Sequence, residues 1–240
     1  MTAAGLKQRL REHAARSYRA ADRFGYHFAR GKLDGDPVYV ELLARGLVAD
    51  GTRILDLGCG QGLLAAWLDA AAATHGAGEW HDGWPGPPAR WQYHGIELAP
   101  AEVRRARIAL AALGARVQVD AADLRGCALG AADLVVILDV LHYMNFDEQL
   151  GLLRRVRQAL SPAGRLLLRI GDAGGGLPFR ASNWVDLVVL LLRGRGWQRL
   201  HCRTLPEWLE LLAELGFNAM SIPMSDHTPF ANTLLVARPQ

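Results

Sequence analysis

Apolar positions along the chain switch repeatedly between short continuous runs and helical spacing. The run RILDL (53–57) leads into glycines on alternate positions, and LLAAWLDAAAA (63–73) then takes up a helical pattern. From Trp91 the rhythm resumes: QYHGIEL reads as a strand, PAEVRRARIALAAL as a helix ended by Gly114, and RVQVDAA as a strand. ADLVVILDV, DEQLGLLRRVRQAL, the turn SPAG and RLLLRIG continue it as strand, helix, turn and strand. Short apolar strands alternating with amphipathic helices predict a doubly wound α/β fold, a mostly parallel sheet with helices on both faces.

Residues 4–23 carry charge at helical spacing and predict an amphipathic N-terminal helix, followed by the aromatic- and glycine-dense FGYHFARGKLDGDP (24–37). Asp36 then Pro37 is a cap with proline at the first helical position, so a helix is expected from there to about Leu47. THGAGEWHDGWPGPPARW (74–91) reads as an inserted surface loop whose Trp80, Trp84 and Trp91 pack on the body first and on a ligand as the alternative. The rhythm is lost over 172–203. Thr204 and Glu207 then form a capping box, and NAMSIPM and NTLLVAR end the chain as strands. The expected organisation is an N-terminal helical cap or lid (1–47) and a core (48–240) carrying the loop 74–91 and a substrate insertion 172–203.

At 240 residues and 50% hydrophobic, the chain can bury one sizeable core. The formal charge of +3 is small, almost all arginine (Lys7 and Lys32 are the lysines) and spread along the chain, so a nucleic-acid partner is not favoured. Cys59, Cys127 and Cys202 are far apart and odd in number, without metal-ligand spacing. Reduced thiols, no metal and a cytoplasmic location are therefore expected. The N-terminus lacks the apolar core of a signal peptide, and VDLVVLLL (185–192) is far short of the ~20 residues that span a bilayer.

The glycine turn carries the chemistry. Gly58, Gly60 and Gly62 give G-x-G-x-G, whereas a dinucleotide fingerprint needs its third glycine at position 63, which is leucine. No Gly-Lys-Ser/Thr follows, so a phosphate-cradling P-loop is excluded. Asp56, two residues before the first glycine, repels a pyrophosphate and suits a cationic or zwitterionic ligand. Asp56-Leu-Gly58-Cys59-Gly60-Gln-Gly62 closely resembles motif I of the class I S-adenosylmethionine-dependent methyltransferases. Glu97 with Leu98 in GIEL, Asp123-Leu124 in DAADL, Asp139 in VVILDVLHYM and the passage LSPAGRLLL resemble later motifs of that family, in order, over roughly residues 36–240.

The resemblance implies a seven-stranded sheet whose last strand runs antiparallel, and S-adenosylmethionine as cofactor. It implies that Glu97 binds the ribose hydroxyls and Asp123-Leu124 the adenine. From the residues alone Glu97 is also readable as a strand-end acid, Asp123 as a helix cap and Cys59 as a small turn residue. Arg30 or Lys32 is a candidate for the cofactor carboxylate, with Tyr26 closing over it. His142, just past the fourth strand, is the first candidate for a general base, the alternative being that it packs on the cofactor; Tyr143 would orient the acceptor. His227 is a reserve base in SDHTPFA (225–231), where Asp226 and Phe230 are further candidates to face the substrate. Trp184 and the Val/Leu run after it suggest an apolar or aromatic acceptor pocket, or core.

These residues point to methyl transfer to a small-molecule acceptor, carrier-bound or free, at oxygen first and carbon next. The slot after the fourth strand reads Leu138-Asp139-Val140-Leu141 rather than the (N/D)PP(Y/F) of base N-methyltransferases. YHFARGKLDGDPVY and PMSDHTPFANTLLVA are similar to methyltransferases encoded with bacterial aryl-polyene pigment pathways, implying a phenolic or polyketide-like acceptor. The competing readings are an NAD(P)-dependent reductase and a non-catalytic S-adenosylmethionine-binding module.

Overall fold

The computed structural model describes residues 1–171, 173, 200–224 and 232–240. His227, Asp226, Phe230 and Trp184 lie outside the described residues. Seven strands make a mixed sheet, the architecture that pattern and resemblance imply. The chain divides into two compact units, Met1–Cys127 and Ala128–Gln240.

The first unit opens with three helices. Helix α1 (Ala3–Arg16), capped by Thr2, buries Leu6, Leu10 and Ala14 on one stripe. The helix expected over 4–23 breaks at Ser17–Ala20, a 3₁₀ turn. The break has a cause: Tyr18 turns fully inward and its hydroxyl donates to the Gln61 carbonyl at 2.8 Å. Asp22 then caps α2 (Arg23–Gly35), which occupies the aromatic, glycine-containing stretch. Asp36 caps α3 (Pro37–Ala44) with Pro37 in the first turn, as its sequence predicts, although α3 stops three residues short of Leu47.

Strands β1 (Thr52–Leu57), β2 (Trp91–Glu97) and β3 (Val117–Ala121) are parallel, with β2 between the other two. Helix α4 (Leu63–Gly76) runs past the expected end at 73 and buries most of its surface. In the loop after it, Trp80 meets His75 and Trp84 edge-on and donates its indole N–H to the Pro85 carbonyl. Helix α5 (Pro100–Ala109) ends before Gly114, which sits in a following 3₁₀ turn at φ +59°.

In the second unit β4 (Ala132–Leu138) pairs in parallel with β5 (Leu160–Gly171), and β7 (Asn232–Pro239) lies antiparallel between β5 and β6 (Phe217–Pro223). The expected turn SPAG is absorbed into the start of β5, where the β4 register shifts. Helix α6 (Phe146–Ala159) begins with an Asn145/Glu148 capping box, and α7 (Leu205–Glu214) with the Thr204/Glu207 box read from the sequence.

One residue that the pattern does not reveal fixes the packing around β1 and β2. Gly95 lies opposite Asp56, and a Cβ there would meet Cys59 Sγ at 2.7 Å and Tyr93 Cε1 at 2.9 Å. Gly95→Ala is expected to lower stability by about 1–3 kcal/mol, the usual scale of overpacking. Adding Cys59→Ala should recover part of that loss in denaturant midpoint. An unchanged midpoint in Gly95→Ala would overturn this account.

Candidate functional site

The β1–α4 turn is shaped by backbone that only glycine adopts freely. Gly58, Gly60 and Gly62 all have positive φ, between 55° and 78°. Gly62 needs its missing Cβ twice over, since a methyl there would also meet Leu110 Cδ1 at 2.6 Å. The amides of Gly58 and Cys59 both donate to the Ile96 carbonyl, at 2.8 and 3.2 Å. Glu97, closing β2, accepts from Gly60 N–H at 3.1 Å with one carboxylate oxygen and from Ala99 N–H at 2.8 Å with the other. No atom of the described residues lies within 4 Å of where a Gly60 Cβ would stand, so among them that side of the turn is open.

Beneath the turn is a buried polar layer. Asp56 is 5% exposed and accepts a hydrogen bond from the Tyr93 hydroxyl at 2.7 Å. Burial raises its pKa to about 7, opposed by that hydrogen bond and aided by the Glu97 charge. Burial, then Asp56 and Glu97, push the Cys59 thiol well above its ordinary value, so Cys59 serves here as a neutral packing group. The Gln61 side-chain amide is 1% exposed, and neither its nitrogen nor its oxygen finds a hydrogen-bond partner among the described residues.

At the end of β3, Asp123 is exposed and Leu124 is buried. The Asp123 carboxylate accepts the Arg125 N–H at 2.9 Å and meets its guanidinium, which together hold its pKa below the usual carboxylate range. Leu98, after β2, is 45% exposed. On α2, the Tyr26 hydroxyl accepts from Arg19, whose guanidinium covers the ring at 4.6 Å; Arg30 stands 5.8 Å from the ring centre. Lys32 is instead tied to the cap residue Asp36 at 2.8 Å.

In the second unit Asp139 follows β4 with φ +58°, a strained value for a residue with a side chain. Its carboxylate is clasped by both Nε and Nη2 of Arg169 on β5, which is only 3% exposed. His142 and Tyr143 sit in the next turn, Leu141–Tyr143, with ring centres 4.0 Å apart. The packing around the His142 ring pulls its pKa down to about 4; Asp139 opposes the shift and Arg169 adds to it. Sequence reasoning missed Arg169, Tyr93, Tyr18 and Gln61. For Arg169 a signal existed, a charge inside the apolar run RLLLRIG; for the tyrosines there was none.

The strand-end acids, the open turn at Gly60 and the unpaired Gln61 amide fit a ligand that brings hydroxyls and amino groups and no phosphate. Glu97 already takes the Gly60 amide, so a pyrophosphate there would meet a carboxylate. Both carboxylate oxygens retain a lone pair for a hydroxyl donor.

Residues 55–166 match the methyltransferase domain family. Carboxy-S-adenosyl-L-methionine synthases of Shigella boydii and Escherichia coli are 31% identical over 131 residues, 54% of this chain and 47% of theirs. The chain thus spans about half the length of the curated relatives it matches. Magnesium protoporphyrin IX methyltransferase from Synechocystis, solved with bound SAH, superposes with a TM-score of 0.60 at 18% identity, covering 98% of this chain and 100% of that one. Mitomycin 7-O-methyltransferase gives 0.59 at 23%, covering 97% and 68%. The pyocyanin biosynthetic protein PhzM gives 0.63 at 19%, covering 95% and 62%. The match to the methyltransferase domain thus falls on the stretch from β1 into β5, and the solved structures share the fold of the whole sheet.

The raised pKa of Asp56 sets a pH dependence. Between the unfolded value near 4 and the folded value of about 7, the folded carboxyl keeps a proton that the unfolded one loses. Its contribution to stability is complete at the acid end and is lost as pH rises through about 7. Asp56→Asn keeps an acceptor for Tyr93 but cannot ionise. Its stability relative to wild type should therefore climb by about 1 kcal/mol per pH unit across that window in urea titrations. His142 changes stability in the opposite sense and cancels in the difference. Parallel curves for the two proteins would sink the assignment.

Proposed function

We propose that the chain transfers a methyl group from S-adenosylmethionine to a hydroxyl oxygen of a small aromatic or apolar acceptor, with carbon as the second choice of atom. The observation that carries this reading is the placement of His142 in the short turn directly after β4, beside Tyr143 and next to the Asp139–Arg169 pair. A neutral imidazole can take the proton of an acceptor hydroxyl. Bound S-adenosylmethionine supplies a methyl group already activated on a sulfonium, so the chain's own residues mainly bind, align and exclude water. In this reading Asp56, Gly58, Cys59, Gly60 and Gly62 shape the turn for the methionine end. Glu97 and Leu98 hold the ribose, Asp123 and Leu124 hold the adenine, and Asp139 stands after β4 as a further cofactor contact.

Arg30 is assigned to the cofactor carboxylate, Tyr143 to orienting the acceptor and His227 to reserve base. Residues 1–47 act as a cap, 48–240 as the methyltransferase core with its loop 74–91, and 172–203 as the acceptor insertion. The likeness of YHFARGKLDGDPVY and PMSDHTPFANTLLVA to aryl-polyene methyltransferases supports a phenolic or polyketide-like acceptor, carrier-bound or free, in cytoplasmic small-molecule biosynthesis. Mitomycin 7-O-methyltransferase, among the solved structures with this fold, supports oxygen as the target.

Calorimetry with S-adenosylmethionine, S-adenosylhomocysteine and NADH tests the cofactor. The first two should bind and NADH should not; binding of NADH alone restores the reductase reading. A screen of phenolic and acyl acceptors with labelled cofactor, read by mass spectrometry, should show gain of one methyl group. A carboxylated cofactor product would instead place the chain with the activity its curated relatives are named for. His142→Ala should lower kcat by about 10²–10⁴-fold with cofactor affinity unchanged. The acid limb of the wild-type rate should fall near pH 4 and not near the ordinary histidine value. Full activity in His142→Ala removes it as base.

A further inference from the structure

The second unit contains a buried side chain that the proposed chemistry does not use. Gln149, on α6, is 0% exposed. Its Nε2 lies 3.0 Å from the Leu141 carbonyl, 3.0 Å from the Met144 carbonyl and 2.8 Å from the His201 carbonyl. Two hydrogens serve three acceptors, so one of them is shared. Its Oε1 accepts from Arg203 Nε at 3.2 Å, which fixes which end of the amide faces the carbonyls. The His201 N–H in turn donates to the His142 carbonyl at 2.9 Å, and the Ala173 N–H donates to the Arg203 carbonyl at 3.2 Å. The Arg203 guanidinium lies over the Phe146 ring at 4.3 Å.

These bonds form one connected set. The turn Leu141–Met144 is clamped from both sides of His142, and the clamp is joined to His201–Arg203, where the chain returns after the proposed acceptor insertion. A buried amide with every polar atom satisfied specifies one arrangement of the groups around it, whereas one lost donor leaves three carbonyls short. We infer that Gln149 is the positioning residue of this site, holding the His142 turn in register with the His201–Arg203 segment. The inference rests on the reading of His142 as the base. Gln149 acts on turnover through backbone carbonyls and touches neither acceptor nor cofactor in this scheme.

The test uses the full chain with Gln149→Glu, which keeps shape but replaces the donor, and Gln149→Met, which keeps volume without polarity. Arg203→Met serves as the milder variant, since it leaves the three carbonyl contacts in place. Measured quantities are kcat and acceptor KM, S-adenosylmethionine affinity by calorimetry, and the titration of the His142 ring by NMR with labelled histidine. The Gln149 variants should lose kcat by about tenfold or more, with KM and cofactor affinity within about threefold. Their His142 titration should move up from about 4 toward the ordinary value as the turn admits water. Arg203→Met should shift both in the same sense by less, and it carries the test if the Gln149 variants do not fold. Unchanged kcat together with unchanged His142 titration overturns the inference. So does a loss confined to cofactor affinity. If wild type transfers no methyl to any acceptor, the functional reading fails separately, and the His142 titration still decides the positioning role.

Discussion

The carboxylate of Glu97 ties together the two turns at one edge of the first unit. One oxygen takes an amide from the glycine turn after β1 and the other takes an amide from the turn after β2. Charge-assisted bonds of this kind are stronger than neutral ones and fix geometry as well as energy. They also decide what the turn can bind. A glycine-rich turn whose free amides point outward is a site for phosphate, but here the Gly60 amide is already spent on an anion. The same three glycines in another setting would cradle a pyrophosphate. Beside Glu97 and above the buried Asp56, they favour a ligand with hydroxyl and ammonium donors, and S-adenosylmethionine has both.

The layer beneath explains how that edge stays in place. Asp56 is deep enough that a permanent charge would be costly, and a pKa near 7 lets it shed the charge while keeping its bond to Tyr93. Space for this layer comes from Gly95, whose missing side chain admits Cys59. Tyr18 also reaches the turn, joining the N-terminal helices to the Gln61 carbonyl. The N-terminal helices are therefore anchored at the residue whose side-chain amide is left unsatisfied among the described residues.

What the sequence makes legible here is local. Asp36-Pro37 and Thr204/Glu207 are read correctly because a cap involves a few neighbouring residues and each has a mechanism at fixed spacing. The strand–turn–helix over 53–73 is read for the same reason, and the strand-end positions of Glu97 and Asp123 follow once the strands are found. Tyr18, Tyr93 and Gly95 are not legible, because each acts on a residue some 36 or more positions away, or on a neighbouring strand through register. The helix expected over 4–23 shows the cost: charge periodicity continues through Tyr18, but the chain breaks there to satisfy a contact 43 residues on. Gln149 hides for a related reason. In a helix pattern a glutamine reads as surface, and only the fold reveals that its face is buried.

The second unit spends its buried polar groups on backbone. Asp139 stands at a positive φ that a side chain resists, and the Arg169 clasp is the interaction on hand to hold it there. An ion pair whose arginine is buried while its aspartate stays half-buried still carries a desolvation cost, and is a poor source of stability compared with apolar residues of similar volume. Keeping one immediately before the His142 turn makes more sense as a device for geometry than as one for folding energy. The same holds for the amide of Gln149, which costs desolvation and returns orientation. A methyl donor that is already activated asks little of the protein beyond alignment. Two polar anchors flanking one short turn, the Asp139–Arg169 pair before it and the Gln149 amide beneath it, are what an alignment mechanism requires.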